Sequence, residues 1–151
     1  MANSLGGLET SLEDLLVKKA PFQLPKNAKE VLVNFAPWLA LIGGVFALIV
    51  ALAVFGLGAV FGPLSLYAGP QYAGSFFTTY AISLIVLGVS GVLDLMAFPG
   101  LRTRKIGGWR LLFYGELVWA VSKLLSFDIF GLVVGTLVGL YLLFQVREYY
   151  K

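Results

Sequence analysis

Asp94, Glu116, Lys123 and Asp128 each lie inside or at the edge of an apolar run. A charge near the centre of a bilayer costs ~2.5 to 3.5 kcal/mol even on insertion-based scales, so an ionisable side chain there needs a partner or a task. Depth ranks the four. At ~1.5 Å per residue, Glu116 falls close to the middle of its run, which extends from about Trp109 to Ser126. Asp94 is nearer one end of an earlier run, four residues before Phe98, and Lys123 is nearer the far end of the Glu116 run. Asp128 belongs to the turn that follows. A carboxyl at the depth of Glu116 can take up and release a proton or contact a cation inside a helix bundle. The structural alternative is a hydrogen-bonded carboxyl that holds helices together, with Ser122, Thr136, Tyr114 or Tyr141 as partner. Glu116, Ala120 and Lys123 share one helix face, but Glu116 and Lys123 are ~10 Å apart along the axis. Lys123 is therefore expected to reach outward, to lipid headgroups or to Asp128. Asp94 has Arg110 or Arg102 as its expected partner, in a pair worth ~0 to 1 kcal/mol.

Other chemistry is excluded by composition. The chain has neither Cys nor His. Disulfides, thiolate metal sites, Cys nucleophiles and imidazole mechanisms are all closed to it. Carboxylate sites for hard cations stay open in principle. There is no nucleophile–base pair, metal cluster or cofactor motif, so neither an enzyme nor a bound cofactor is expected.

The elements that must carry these residues follow from hydropathy. Of the 151 residues 59% are apolar and only 13% are charged, with a mean hydropathy of +0.89. A soluble chain with so few charges has little to cover its surface, whereas lipid asks for an apolar exterior. The expected fold is an all-α integral membrane protein: a four-transmembrane-helix bundle with an N-terminal amphipathic cytoplasmic helix. Residues 1–35 form the cytoplasmic or interfacial arm and residues 36–151 the bundle, with spans at about 37–61, 77–98, 109–126 and 129–146. In the arm, Leu8, Leu12, Leu15 and Leu16 recur at helical spacing, Thr10 with Glu13 and Asn27 with Glu30 fit capping boxes, and Pro21 and Pro25 interrupt. The arm does not read as a secretory signal, since acidic residues precede the first apolar run. Residues 62–76, rich in Gly and Pro, read as an uncharged loop, and Pro99-Gly100 as the end of the second span. The two residues Phe127-Asp128 allow only a tight antiparallel turn between the last two spans.

Charge sets the orientation. Ten of the eleven Lys and Arg residues fall before span one, between spans two and three, or after span four, and Lys123 is the exception. Such a bias puts both termini on the cytoplasmic side, and a prokaryotic plasma membrane is the expected location. The basic loop of Arg102, Arg104, Lys105 and Arg110 reads first as this topology signal. It is also a contact for anionic headgroups, with Gly107 and Gly108 able to present N–H groups to phosphate. The net charge of +3 is thereby explained without nucleic acid.

Small residues suggest how the spans meet. Gly131, Gly135 and Gly139 make one ridge on span four, and Gly43, Ala47 and Ala51 another on span one, beside a second row of Ala36, Ala40 and Gly44. Such ridges serve packing within the chain, or association with a second copy or another membrane protein. The expected function is a small structural or accessory multi-pass protein that binds partner helices or lipids through glycine-rich faces. The alternative is a small transporter or channel subunit with Glu116 as its protonatable centre.

Overall fold

The computed structural model describes residues 2–19 and 22–151, residues 2–5 as backbone only. The described chain is all-helical. Helix α1 (Ala2–Glu13) runs on into a wider π turn (Asp14–Lys18). Then come α2 (Lys26–Tyr67), α3 (Pro70–Arg102) and α4 (Ile106–Leu125). The last helix, α5 (Leu137–Val146), is led in by a π-helical stretch (Gly131–Thr136) and closes with a 3-10 turn (Arg147–Tyr149). Three stretches are long and apolar enough to cross a membrane: Lys26–Tyr67, Pro70–Arg102 and Gly131–Tyr149. Helix α4 stands apart from that set. Its 20 residues include Arg110, Glu116 and Lys123.

Several helix ends differ from the sequence expectation. The stretch 62–76 is almost entirely helical, and only Ala68 and Gly69 separate α2 from α3. Gly69 makes the reversal with φ +108, a conformation open to glycine and strained for other residues. Pro63 and Pro99 sit inside α2 and α3 instead of ending them. An internal proline costs ~3 kcal/mol. Each of these two lies close to its helix end, with four residues of α2 after Pro63 and three of α3 after Pro99, so little helix follows the lost bond. Helix α2 also runs unbroken across the 35/36 division expected from composition. Neither capping box forms. Thr10, well inside α1, donates its hydroxyl to Gly6 O at 2.9 Å, and α2 starts at Lys26 after Pro25, two residues too early for Asn27 to cap it. Pro21 lies outside the described residues.

The most buried core gathers at one end of the bundle. Val33 of α2, Ala97 and Leu101 of α3, Trp109 and Phe113 of α4, and Phe144 of α5 pack there. Trp109 stacks on Phe113 with centroids 5.6 Å apart and meets Phe144 edge-on at 5.1 Å. Its indole N–H donates to Leu143 O at 2.8 Å, which ties α4 to α5. Leu12, Leu16 and Val17 of the arm pack against this cluster from below. The chain end is fastened to the same place: Lys151 N–H donates to Arg104 O and Ile106 N–H to Lys151 O, both at 3.0 Å. Toward the other end α2 and α3 continue as a two-helix hairpin, where the Tyr80 ring fills the space a Cβ would take at Gly58. The outer surface is apolar, with Phe46 66%, Leu52 72% and Phe130 78% exposed, as a lipid-facing surface requires.

Candidate functional site: two carboxylates between the helices

Helix α3 brings Asp94 to the place where α2, α3 and α4 meet. A Cβ on Gly44 of α2 would come 3.1 Å from the Asp94 Cβ, and one on Gly115 of α4 would come 3.6 Å from its Oδ1. Gly43 faces the other oxygen, Oδ2, at 3.9 Å by the same measure. Asp94 thus lies among three glycines, of which only Gly44 is so close that a Cβ would crowd it; at Gly115 and Gly43 a Cβ would be in ordinary contact. Glu116 follows Gly115 on α4 and turns toward α5. A Cβ on Gly139 would fall 2.6 Å from Glu116 Oε1, so Gly139 is what lets the carboxylate lie against α5. The two carboxyls thus sit at different junctions, Asp94 among α2, α3 and α4 and Glu116 between α4 and α5. Among the described residues neither has a Lys or Arg nitrogen within 4.0 Å.

The basic residues expected beside them are engaged elsewhere. Arg110 Nε lies 3.4 Å from Glu9 of the arm, Arg104 donates to Asn34 Oδ1 at 3.2 Å, and Arg102 and Lys105 are exposed. Lys123 donates to Asp128 Oδ2 at 2.8 Å. Asp128 also accepts the Gly131 N–H at 2.8 Å, which joins the α4 end to the start of the next helix. These two bonds hold its carboxyl below the usual carboxylate range, the Lys123 bond being the larger cause.

A groove of about 280 Å³ runs between α4 and the π-helical stretch that leads into α5, lined by Glu116, Trp119, Lys123, Gly131, Gly135 and Thr136. Two glycines of the Gly131, Gly135 and Gly139 ridge line it, and the three positions of the ridge do different things. Gly131 lies against the Asp128 carboxylate and Gly139 against that of Glu116, whereas a Cβ at Gly135 would meet nothing within 4 Å. On α2 the tight crossing is made by Gly44 of the second row, while Gly43 touches only Asp94 and Ala47 and Ala51 are half-buried. Gly108, read from sequence as a phosphate contact, is packed against the backbone of Gly100 and Leu101, with no room there for an anion.

Sequence reasoning missed a second polar cluster. Glu9 of α1 is 7% exposed. Arg147 donates to Glu9 Oε1 through Nη2 at 2.6 Å and Nε at 3.1 Å, and to Glu13 Oε2 through Nη1 at 2.8 Å. Its guanidinium lies over the Trp109 ring, 5.4 Å from the centroid. The available signal was the i, i+4 spacing of Glu9 and Glu13 on one face of the arm. Comparison with protein-family models, curated proteins and solved structures finds no match to this chain.

Proposed function

We propose that the chain is a four-span integral membrane protein of accessory type, with both termini cytoplasmic. In this reading its α4–α5 groove receives a transmembrane helix from a second copy or another membrane protein, in a prokaryotic plasma membrane. The length of α4 supports the fourth span, since 20 residues reach ~30 Å, one hydrocarbon thickness. Arg110 and Lys123 sit near its two ends and are bonded to Glu9 and Asp128, which leaves Glu116 as the one ionisable residue in its middle.

The observation that carries the reading is open space above Gly135 in a groove lined by polar side chains. In lipid, helices associate where small residues let backbones approach and polar groups find partners. Gly135→Leu fills that space while leaving the Glu116 and Asp128 contacts alone. In native membranes and mild detergent, the wild type is expected to cross-link and migrate as an assembly, and Gly135→Leu as a folded monomer. A wild type that is monomeric in both settings overturns the proposal.

Two carboxyls inside the helices, Asp94 and Glu116, with no Lys or Arg nitrogen within 4.0 Å among the described residues, favour a second reading: a small transporter or channel subunit centred on Glu116. It requires proton-linked or voltage-driven flux in liposomes that Glu116→Gln abolishes. Equal flux in both proteins removes it.

A further inference from the structure

Arg110 and Arg147 converge on a single buried carboxylate. Arg147 is held in place without any ligand: it rests on Trp109, which is fully buried and fixed by its bond to Leu143 O, while Arg110 reaches Glu9 from a half-exposed position at 3.4 Å. The occupant, Glu9, belongs to α1, which lies outside the α2–α5 bundle. Helix α1 reaches the bundle through Glu9, Glu13, Leu12, Leu16 and Val17, through the Leu16 O that accepts from Gln145 Nε2 at 3.3 Å, and through the segment just after it, where Phe22 O accepts from Tyr141. Leu8 and Leu15 on its outer side are 50% and 55% exposed. A guanidinium fork that grips a carboxylate grips a phosphodiester by the same geometry. The cluster also lies at the end of the bundle that holds the 103–105 turn, Lys151 and the start of α2, where headgroups would be.

We propose that Arg110 and Arg147 form a binding site for the phosphate of an anionic lipid headgroup, and that Glu9 and Glu13 of α1 hold it closed as an internal substitute ligand. Anionic lipid displaces the two carboxylates. The freed helix turns its leucines to the membrane surface, as amphipathic helices do. The lipid phosphates take over the charge neutralisation that the glutamates provided, so the exchange leaves no arginine unpaired. This inference rests on the reading that this end of the bundle meets a membrane surface.

The chain lacks cysteine, so introduced thiols can be labelled without background. Spin labels on Ser11→Cys and Thr103→Cys report the distance from α1 to the basic turn, with the full-length protein in bilayer discs. In phosphatidylcholine one short distance is expected. Replacing part of the lipid by phosphatidylglycerol is expected to raise the long-distance population about thirtyfold, the scale of attraction of two arginines to an anionic surface. Glu9→Gln with Glu13→Gln gives the long distance in both lipids. Arg147→Lys keeps the charge but loses the fork, and is expected to abolish most of the response. A wild type that responds to neither lipid overturns the proposal, and so does a response undiminished in Arg147→Lys. Inorganic phosphate in phosphatidylcholine discs is expected to do nothing; an equal response to it replaces the lipid by a free anion and overturns the assignment. Thiol labelling of Thr103→Cys and Phe127→Cys from one side of sealed vesicles separates the two readings. A lipid response with both positions on one side refutes the spans and leaves the site. A flat response with the positions on opposite sides refutes the site alone.

Discussion

A Cβ built on Gly44 of α2 would sit 2.9 Å from the carbonyl oxygen of Gly91 on α3, and one built on Gly91 would sit 3.1 Å from that of Gly44. Two backbones meet here, and neither can yield as a flexible side chain would. Glycine to alanine inside a helix ordinarily gains ~0.5 to 1 kcal/mol. Overpacking against fixed neighbours costs ~1 to 3 kcal/mol and should dominate at this crossing. Gly44→Ala is therefore expected to lower the thermal midpoint in detergent. Gly56→Ala on the same helix, where a Cβ meets nothing within 4 Å, is expected to hold or raise it. Equal effects at the two positions would mean that the α2–α3 crossing is looser than described.

Tyr150 is 5% exposed, and its hydroxyl has no hydrogen-bond partner among the described residues. Leaving such a group unpaired costs ~1 to 3 kcal/mol, so Tyr150→Phe should stabilise the protein by about 1 kcal/mol at neutral pH. Burial also pushes the phenol up from its usual value of 10.0, against a smaller downward pull from Arg104. The fold thus favours the neutral phenol. Its contribution is complete below the unfolded value near 10 and is lost as pH rises through the higher folded one. Thermal midpoints measured from about pH 9 to 12 should fall more steeply for wild type than for Tyr150→Phe. Parallel curves, or a destabilised variant, would count against the buried, unpartnered hydroxyl.

The turn after α4 should be acid-sensitive. Asp128 is held ionised by Lys123 and by the Gly131 N–H. Because its folded value lies below the unfolded one, its contribution is present above about pH 4 and disappears as pH falls through the folded value. Hydrogen exchange at the Gly131 amide, corrected for intrinsic rates, should show protection at neutral pH that declines below that range. Asp128→Ala should lack the protection throughout. Protection that survives the substitution would assign it to the helix alone.

How much of this was legible beforehand depends on which physical rule was in control. The apolar runs were readable because hydropathy and length decide them, and three of the resulting helices are long enough to span. Their ends were not. The rule that proline breaks a helix misplaces the ends at Pro63 and Pro99, each of which is followed by three or four more helical residues. The small-residue rows on α2 were visible, but Gly43 and Gly44 are adjacent, and only the rotation of the helix decides that Gly44 makes the crossing. The ionisable residues Asp94 and Glu116 could be found by depth. Their surroundings could not, because Gly115 and Gly139 come from other places in the sequence and Arg110, the expected partner of Asp94, is taken by Glu9 from 101 positions away. Contacts between the arm and the last helix are set by tertiary packing, to which local periodicity is blind.

Arg147–Glu9, Lys29–Glu148 and the backbone bonds between Lys151 and the 104–106 segment fasten the arm, the basic turn and the C-terminus together. The turns at Ala68-Gly69 and Phe127-Asp128 lie beyond the other ends of the same helices. If α2 to α5 all span, the first group must share one side of the membrane and the two turns the other, and the distribution of Lys and Arg makes the first side the cytoplasm. Single-cysteine variants treated with a membrane-impermeant maleimide test this directly. Ala68→Cys and Phe127→Cys should react in intact cells, and Thr103→Cys and Lys151→Cys only after permeabilisation. Phe127 is 88% exposed, so a lack of reaction there cannot be ascribed to burial within the chain. Labelling of Thr103→Cys and Lys151→Cys in intact cells, with the other two protected, would invert the orientation but keep four spans. Labelling of Phe127→Cys from the same side as Thr103→Cys would show that α4, with its three charged residues, does not cross at all.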